Sequence, residues 1–314
     1  MNRKKNKIYI IDVTNRDGVQ TSRLGLAKLE KTLINLYLNR MGIHQSEFGF
    51  PFTNHEINYL KANLELVEMG VLCPIILSGW CRAVKGDVEK AYQLGLKHIN
   101  ISISTSEQMT KGKFRDRVVR YPQENPCKTS VIGMMVEALD EAKKRGMKVG
   151  VNAEDASRTD DEFLMEFAQT AKQHGADTIR YCDTLGYDDP LTIYQRVKNL
   201  AEEVQVPIEI HTHNDLGMAV ACALAGARGA IDGGVDAYIN TTINGMGERA
   251  GNADLVSVIL AFRKSSGTKN LNLLDARIHL SQAWQIAKYA SYAFGVPIPI
   301  NQVGVGENAF AHES

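Results

Sequence analysis

No stretch of this 314-residue sequence stays apolar long enough to cross a bilayer. The basic, polar lead Met1–Lys7 is followed only by the short apolar run Ile8–Ile11, so neither a secretory signal nor a membrane span is expected. Net charge is missing as well. The 36 basic side chains balance 36 acidic ones, which argues against a nucleic-acid footprint or a polybasic membrane patch. Cysteine is scarce: Cys73, Cys81, Cys127, Cys182 and Cys222 include no C-x-x-C pair and read as reduced, mostly buried thiols of a cytoplasmic protein. Asp12–Gln20 has no G-x-G-x-x-G, which counts against an open, doubly wound sheet with a phosphate turn after its first strand. Solenoid repeats and low-complexity linkers are absent too.

What the chain does have is an eightfold alternation of strand and helix. Short β-branched runs predict strands at Ile8–Val13, His44–Phe48, Ile75–Ser78, His98–Ser104, Lys148–Asn152, Thr178–Cys182, Ile208–His213 and Ala237–Thr241. Amphipathic stretches between them predict helices at Leu26–Arg40, Ile57–Glu68, Val131–Lys144, Asp161–Gln173, Leu191–Glu203 and Ala219–Ala230. Gly70, Gly95, Gly146, Gly175 and either Gly229 or Gly233 fall where a left-handed residue ends a helix. Eight βα units with short connections predict a (β/α)8 TIM barrel over residues 1–270. Residues 271–314 are expected to be a helical extension that begins a further subdomain. Gln108–Thr129, with Pro122 and Pro126, reads as a loop and short helix over the barrel mouth.

Chemistry in such a barrel sits at the C-terminal ends of the strands, and the residues hardest to explain by packing fall there. His211 and His213, two apart on a strand, point to one side and make half of a metal site. Asp17 and Asn252 add oxygen ligands from neighbouring strand ends. Two nitrogens with two oxygens suit Mn2+, Mg2+, Co2+, Fe2+ or Zn2+. Arg16 beside Asp17 stands ready for an anion or a developing oxyanion, or for an ion pair with Glu154 or Asp155. Glu154 is a candidate to orient a water, relay a proton or hold Arg16. Thr184 offers a hydroxyl to a substrate carboxylate or to its own turn.

Together these segments carry a family resemblance. Asp12–Gln20 resembles D-x-T-x-R-D-G-x-Q, His211–Ala219 resembles H-x-H-N-D-L-G-x-A, Asn244–Asn252 resembles N-G-x-G-E-R-x-G-N, and Glu154–Arg158 resembles E-D-A-x-R. These are signatures of the metal-dependent Claisen-condensing and lyase barrels, among them 2-isopropylmalate synthase, homocitrate synthase, (Re)-citrate synthase and hydroxymethylglutaryl-CoA lyase. The resemblance implies that Asp17, His211, His213 and Asn252 bind one divalent ion, Mn2+ first, with Mg2+, Co2+ or Zn2+ as alternatives. It implies Arg16 and Glu154 as catalytic groups, and Arg16, Gln20, Thr184, Asn15 and Arg82 as substrate contacts. Its substrates would be acetyl-CoA and a 2-oxo acid, in a homodimer.

Asn15 stands where the family usually has Leu, Val19 where it commonly has Glu, and Met109 where synthases commonly have His. With Gln45–Pro51, these departures look most similar to the (Re)-citrate synthase branch, whose 2-oxo acid is oxaloacetate. The other synthases, a lyase running the reverse reaction and a non-catalytic metabolite-binding barrel are the alternatives. Asn308–Ser314 resembles a segment that the family follows with a subdomain for CoA binding and proton transfer. Metal and keto-acid binding with reduced or no turnover is therefore the expectation for these 314 residues.

Overall fold

The computed structural model describes residues 5–113 and 126–311. Eight parallel strands, β1 (Ile8–Asp12), β2 (Gln45–Gly49), β3 (Ile76–Arg82), β4 (His98–Ser104), β5 (Lys148–Glu154), β6 (Thr178–Asp183), β7 (Ile208–Thr212) and β8 (Ala237–Thr241), close into a barrel in chain order. Closure is made by β1 against β8, from Ile8 beside Ala237 to Asp12 beside Thr241. The expected (β/α)8 barrel is the fold observed.

Alternation along the strands decides which side chains fill this barrel. In β4 the residues Ile99, Ile101 and Ile103 are buried outward under the helices, and Asn100, Ser102 and Ser104 occupy the other face. The same alternation puts Glu47, Arg180, Glu209 and Asn240 inside. The interior is therefore unusually polar, while the apolar core lies between sheet and helices.

Ten helices surround the strands or follow them: α1 (Lys28–Met41), α2 (Asn54–Glu68), α3 (Lys85–Gln93), α4 (Glu107–Lys113), α5 (Pro126–Lys144), α6 (Asp161–Gln173), α7 (Pro190–Val204), α8 (Ala219–Asp232), α9 (Leu255–Lys264) and α10 (Ala283–Phe294), counted among the described residues. Local chemistry sets their starts. Asp160 caps α6 through the Phe163 amide, and Asp189 caps α7 through the amides of Leu191 and Thr192, with Pro190 at the first turn. Sequence patterning gives α3 no range of its own, although Gly95 implies a helix ending just before it. Of the expected loop over the mouth, residues 108–113 belong to α4 and 126–129 to α5, and 114–125 lie outside the described residues, as does the end of the chain from 312.

Gly70, Gly95, Gly146 and Gly175 do take positive φ at helix ends, but after α8 it is Gly234 that does so, at φ 93°. Gly229 and Gly233 serve packing instead. A Cβ on Gly229 would lie 2.4 Å from the Tyr194 carbonyl oxygen, so glycine lets α7 and α8 touch backbone to backbone.

Candidate active site

The turn after β1 is organised around one carbonyl. Val13 O accepts from the amides of Arg16, Asp17 and Gly18 at 3.1, 2.7 and 3.1 Å, while the Thr14 hydroxyl accepts from the Ile243 amide beyond β8 at 2.8 Å. This fold-back turns Asp17 toward β7. There His211 and His213 bring their Nε2 atoms within 3.1 Å of each other, and each lies 3.9 Å from Asp17 Oδ2. All three residues are buried.

Asn252 arrives by another route. The loop after β8 folds back so that Asn252 bridges to His213 and the Asn214 amide donates to Gly251 O at 2.9 Å. The Asn252 amide then donates to Asp17 Oδ2 at 2.7 Å, leaving its Oδ1 buried without a partner. Gly247 makes room: a Cβ there would lie 2.2 Å from Asn252 Nδ2, at φ 156°.

These groups fit a divalent cation. Burial drives the His211 imidazole down to about 3, outweighing the opposing pull of Asp17, and lowers His213 for the same reason. Both rings are thus neutral near pH 7. Two neutral imidazoles facing nitrogen to nitrogen share at most one hydrogen bond, whereas a cation engages both lone pairs. Burial alone would raise the Asp17 carboxyl, but Arg16 and the two imidazoles hold it well below the usual range, so it stays anionic.

Above this cluster opens a cavity of about 520 Å³. Arg16, Asp17, Gln20, Arg82, Glu154, Thr184, His211 and His213 all line it, and Asn252 stands directly behind Asp17. Asn15 does not reach it. That side chain is fully buried on the far side of the turn, donating to Lys31 O and to Asn35 Oδ1, both at 2.9 Å. The expectation of substrate contact at Asn15 is therefore corrected: it ties the turn to α1.

Arg16 pairs neither with Glu154 nor with Asp155. Its Nε donates to Glu47 Oε1 at 2.6 Å and its Nη1 to Asp17. Glu154 instead accepts from Ser104 Oγ at 2.8 Å and from Lys113 Nζ at 2.6 Å. Asp155 is taken by Arg158 and Ser106. Thr184 Oγ1 accepts from the Asp155 amide at 2.9 Å, which leaves the hydroxyl proton free to donate. Arg82 sits at the end of β3, half exposed, held by Asp87 at 2.8 Å and stacked over Phe52. Burial pushes the Cys81 and Cys182 thiols far up, so neither is a thiolate at neutral pH.

Beneath the cavity runs a charge network that motif reading missed. Arg180, 1% exposed, donates to Glu47 Oε2 at 2.6 Å and pairs with Glu209. Asn100 and Asn240 donate to Glu47 and Glu209, each at 2.7 Å. Burial raises the Glu47 carboxyl, but Arg16 and Arg180 outweigh it and bring the group down to about 2. Glu47 thereby fixes the guanidinium of Arg16.

Fold and site together define an α/β barrel with a candidate divalent-cation site at its C-terminal mouth. The chain belongs to the HMGL-like family, whose model matches residues 7–289. It is 59% identical over 311 residues to a citrate (Re)-synthase of Dehalococcoides mccartyi, covering 98% of this chain and 73% of that protein. A 2-isopropylmalate synthase of Caldanaerobacter subterraneus is 41% identical over 312 residues, with 99% and 75% covered. Among solved structures, the HMG-CoA lyase of Bacillus subtilis superposes with a TM-score of 0.72 at 16% identity, covering 95% of this chain and 97% of the lyase. That last likeness speaks for the fold alone.

Proposed function

We propose that this protein condenses acetyl-CoA with oxaloacetate to give citrate and CoA, as a divalent-metal-dependent acyltransferase. The observation that carries the reading is the 59% identity to a citrate (Re)-synthase across nearly the whole chain. The fit of the buried Asp17, His211 and His213 cluster to a cation supports it. Mn2+ is the proposed ion, a homodimer the proposed assembly and the cytoplasm the proposed location. Among the described residues, no helix is long and apolar enough to cross a membrane.

Asp17, His211 and His213, with Asn252 through its unpartnered Oδ1, would hold the ion, which supplies Lewis acidity and a template for the 2-oxo acid. Arg16 turns its remaining guanidinium edge to the cavity and stabilises negative charge growing on the ketone oxygen. Thr184 donates its hydroxyl to the adjacent carboxylate, and Gln20 and Arg82 hold the rim. Glu154, oriented by Ser104 and Lys113, handles the proton that the acetyl methyl loses. The resulting carbon nucleophile attacks the ketone carbon, and hydrolysis of the thioester releases CoA and makes the sequence effectively irreversible.

The test is CoA release from acetyl-CoA with oxaloacetate, 2-oxoglutarate or 2-oxoisovalerate, with Mn2+ and with chelator. Release with oxaloacetate that chelator stops is expected. No release with any acid contradicts a synthase, and release with 2-oxoisovalerate alone contradicts the choice of oxaloacetate.

A further inference from the structure

Three consecutive residues after β8 each hold a different part of the molecule. The Ile243 amide donates to Thr14 Oγ1 at 2.8 Å, in the turn that carries Asp17. The Gly245 carbonyl accepts from the Asn252 amide at 3.0 Å. Between them, Asn244 reaches α10, where its Nδ2 donates to Ala287 O at 2.9 Å. The outer two ties serve the two oxygen donors of the cation site. The middle one ends on a helix that follows the eight βα units. Asn244 itself neither lines the cavity nor belongs to the Asp17, His211 and His213 cluster.

The middle tie can transmit position because both of its ends are fixed. Asn244 stands at φ 57° and ψ 20°, a left-handed conformation open to asparagine and glycine and costly for most other side chains. Gly245 follows at φ 67°. Its carbonyl is pressed against the returning loop, so that a Cβ on Gly251 would lie 2.0 Å from the oxygen. A rotation of the turn at Asn244 therefore carries the Gly245 carbonyl with it, and the Asn252 backbone with that carbonyl. On the other side, α10 is anchored by Ala283, Ile286, Ala287, Ala290 and Phe294, all buried. Tyr289 adds a ring contact to Tyr37 of α1, with centroids 5.2 Å apart. The helix is thus a firm reference against which the turn is set.

The geometry points to Asn244 as a positioning residue for the cation site, through which α10 fixes the place of Asn252. The inference rests on the cation reading of the Asp17, His211 and His213 cluster and deepens it. It makes the helix beyond the barrel part of the support of the metal site.

The test is calorimetric titration of Mn2+ into the parent protein, Asn244→Gly, Asn244→Asp, Ala290→Leu and the double variant Asn244→Gly with Ala290→Leu. Thermal unfolding of each metal-free protein is recorded beside it. Asn244→Gly keeps the left-handed backbone available and removes only the side-chain tie. It should weaken Mn2+ roughly tenfold, the order seen when the support of a metal ligand is disturbed. Asn244→Asp sets an acceptor against the Ala287 carbonyl and should weaken the ion at least as much. Ala290→Leu overfills the packing of α10 and shifts the helix. It should weaken Mn2+ in the parent and add nothing in Asn244→Gly, where the tie is already gone. Unchanged Mn2+ affinity in Asn244→Gly, with a lowered Tm, indicates a merely structural residue and overturns the inference. Losses that add in the double variant overturn the route through Asn244. If Ala290→Leu does not fold, the two Asn244 variants decide alone. If the parent binds no Mn2+, the cation reading falls and the inference with it, whereas normal binding in every variant removes only the inference.

Discussion

Replacing Arg180 by methionine removes the one cation that bridges two buried carboxylates. Glu47, 0% exposed, keeps Arg16 and Asn100, but Glu209, 1% exposed, keeps only Asn240. Breaking a buried ion pair from one side costs about 3–5 kcal/mol, because the surviving charge stays desolvated and unpaired. For a protein of this size that corresponds to a fall in Tm of roughly 5–8 °C. Thermal unfolding followed by circular dichroism reads it. Adding Glu209→Gln to Arg180→Met removes the stranded charge and should recover more than half the loss. A deficit in Arg180→Met below about 1 kcal/mol, or a double variant no more stable than the single one, refutes the argument that this network is held by complementary charge.

Asp17→Asn and His211→Ala should each abolish stoichiometric Mn2+ binding, measured by calorimetry, while circular dichroism stays native. Gly247→Ala should weaken Mn2+ roughly tenfold or more by displacing Asn252, since disturbed support of a metal site has costs of that order. Asn15→Ala should destabilise by about 1–3 kcal/mol through broken buried hydrogen bonds, with oxaloacetate affinity unchanged in the same calorimeter. At the opposite end of the barrel, burial and then Arg277 lower the His44 imidazole to about 4. A depressed histidine favours folding fully above its unfolded value near 6.5, and that contribution is lost as pH falls toward 4. Unfolding titrations of His44→Gln should accordingly show a shallower acid-side decline than the parent over that window.

The sequence made the barrel and most of its mouth legible, and the reason is visible in individual residues. Strand periodicity put His211 and His213 on one side, and each motif at a strand end necessarily arrives at the same mouth. Asn15 misled because a turn, unlike a strand, has no fixed alternation: Arg16 and Asp17 face the cavity while Asn15 points back to α1. Glu47, Arg180 and Glu209 were missed because they lie inside strands rather than at their ends. A signal was nonetheless present, since Ile179-Arg180-Tyr181 and Ile208-Glu209-Ile210 each set one charge between apolar neighbours. In a parallel barrel that pattern puts the charge inside, where it needs a partner across the ring. What no local pattern supplies is the pairing itself, because Glu47 and Arg180 meet across 133 residues of chain. The same holds for Lys113, which meets Glu154 only through the tertiary fold.

The most direct test of the central claim is to follow the new carbon–carbon bond. Acetyl-CoA labelled with carbon-13 in its methyl group is incubated with oxaloacetate and the protein, with Mn2+, with chelator, and with Asp17→Asn in place of the parent. Carbon NMR then identifies the product. The account predicts labelled citrate equal in amount to the CoA released, made only by the parent with metal. CoA released without labelled citrate, or citrate formed equally in chelator, would contradict it.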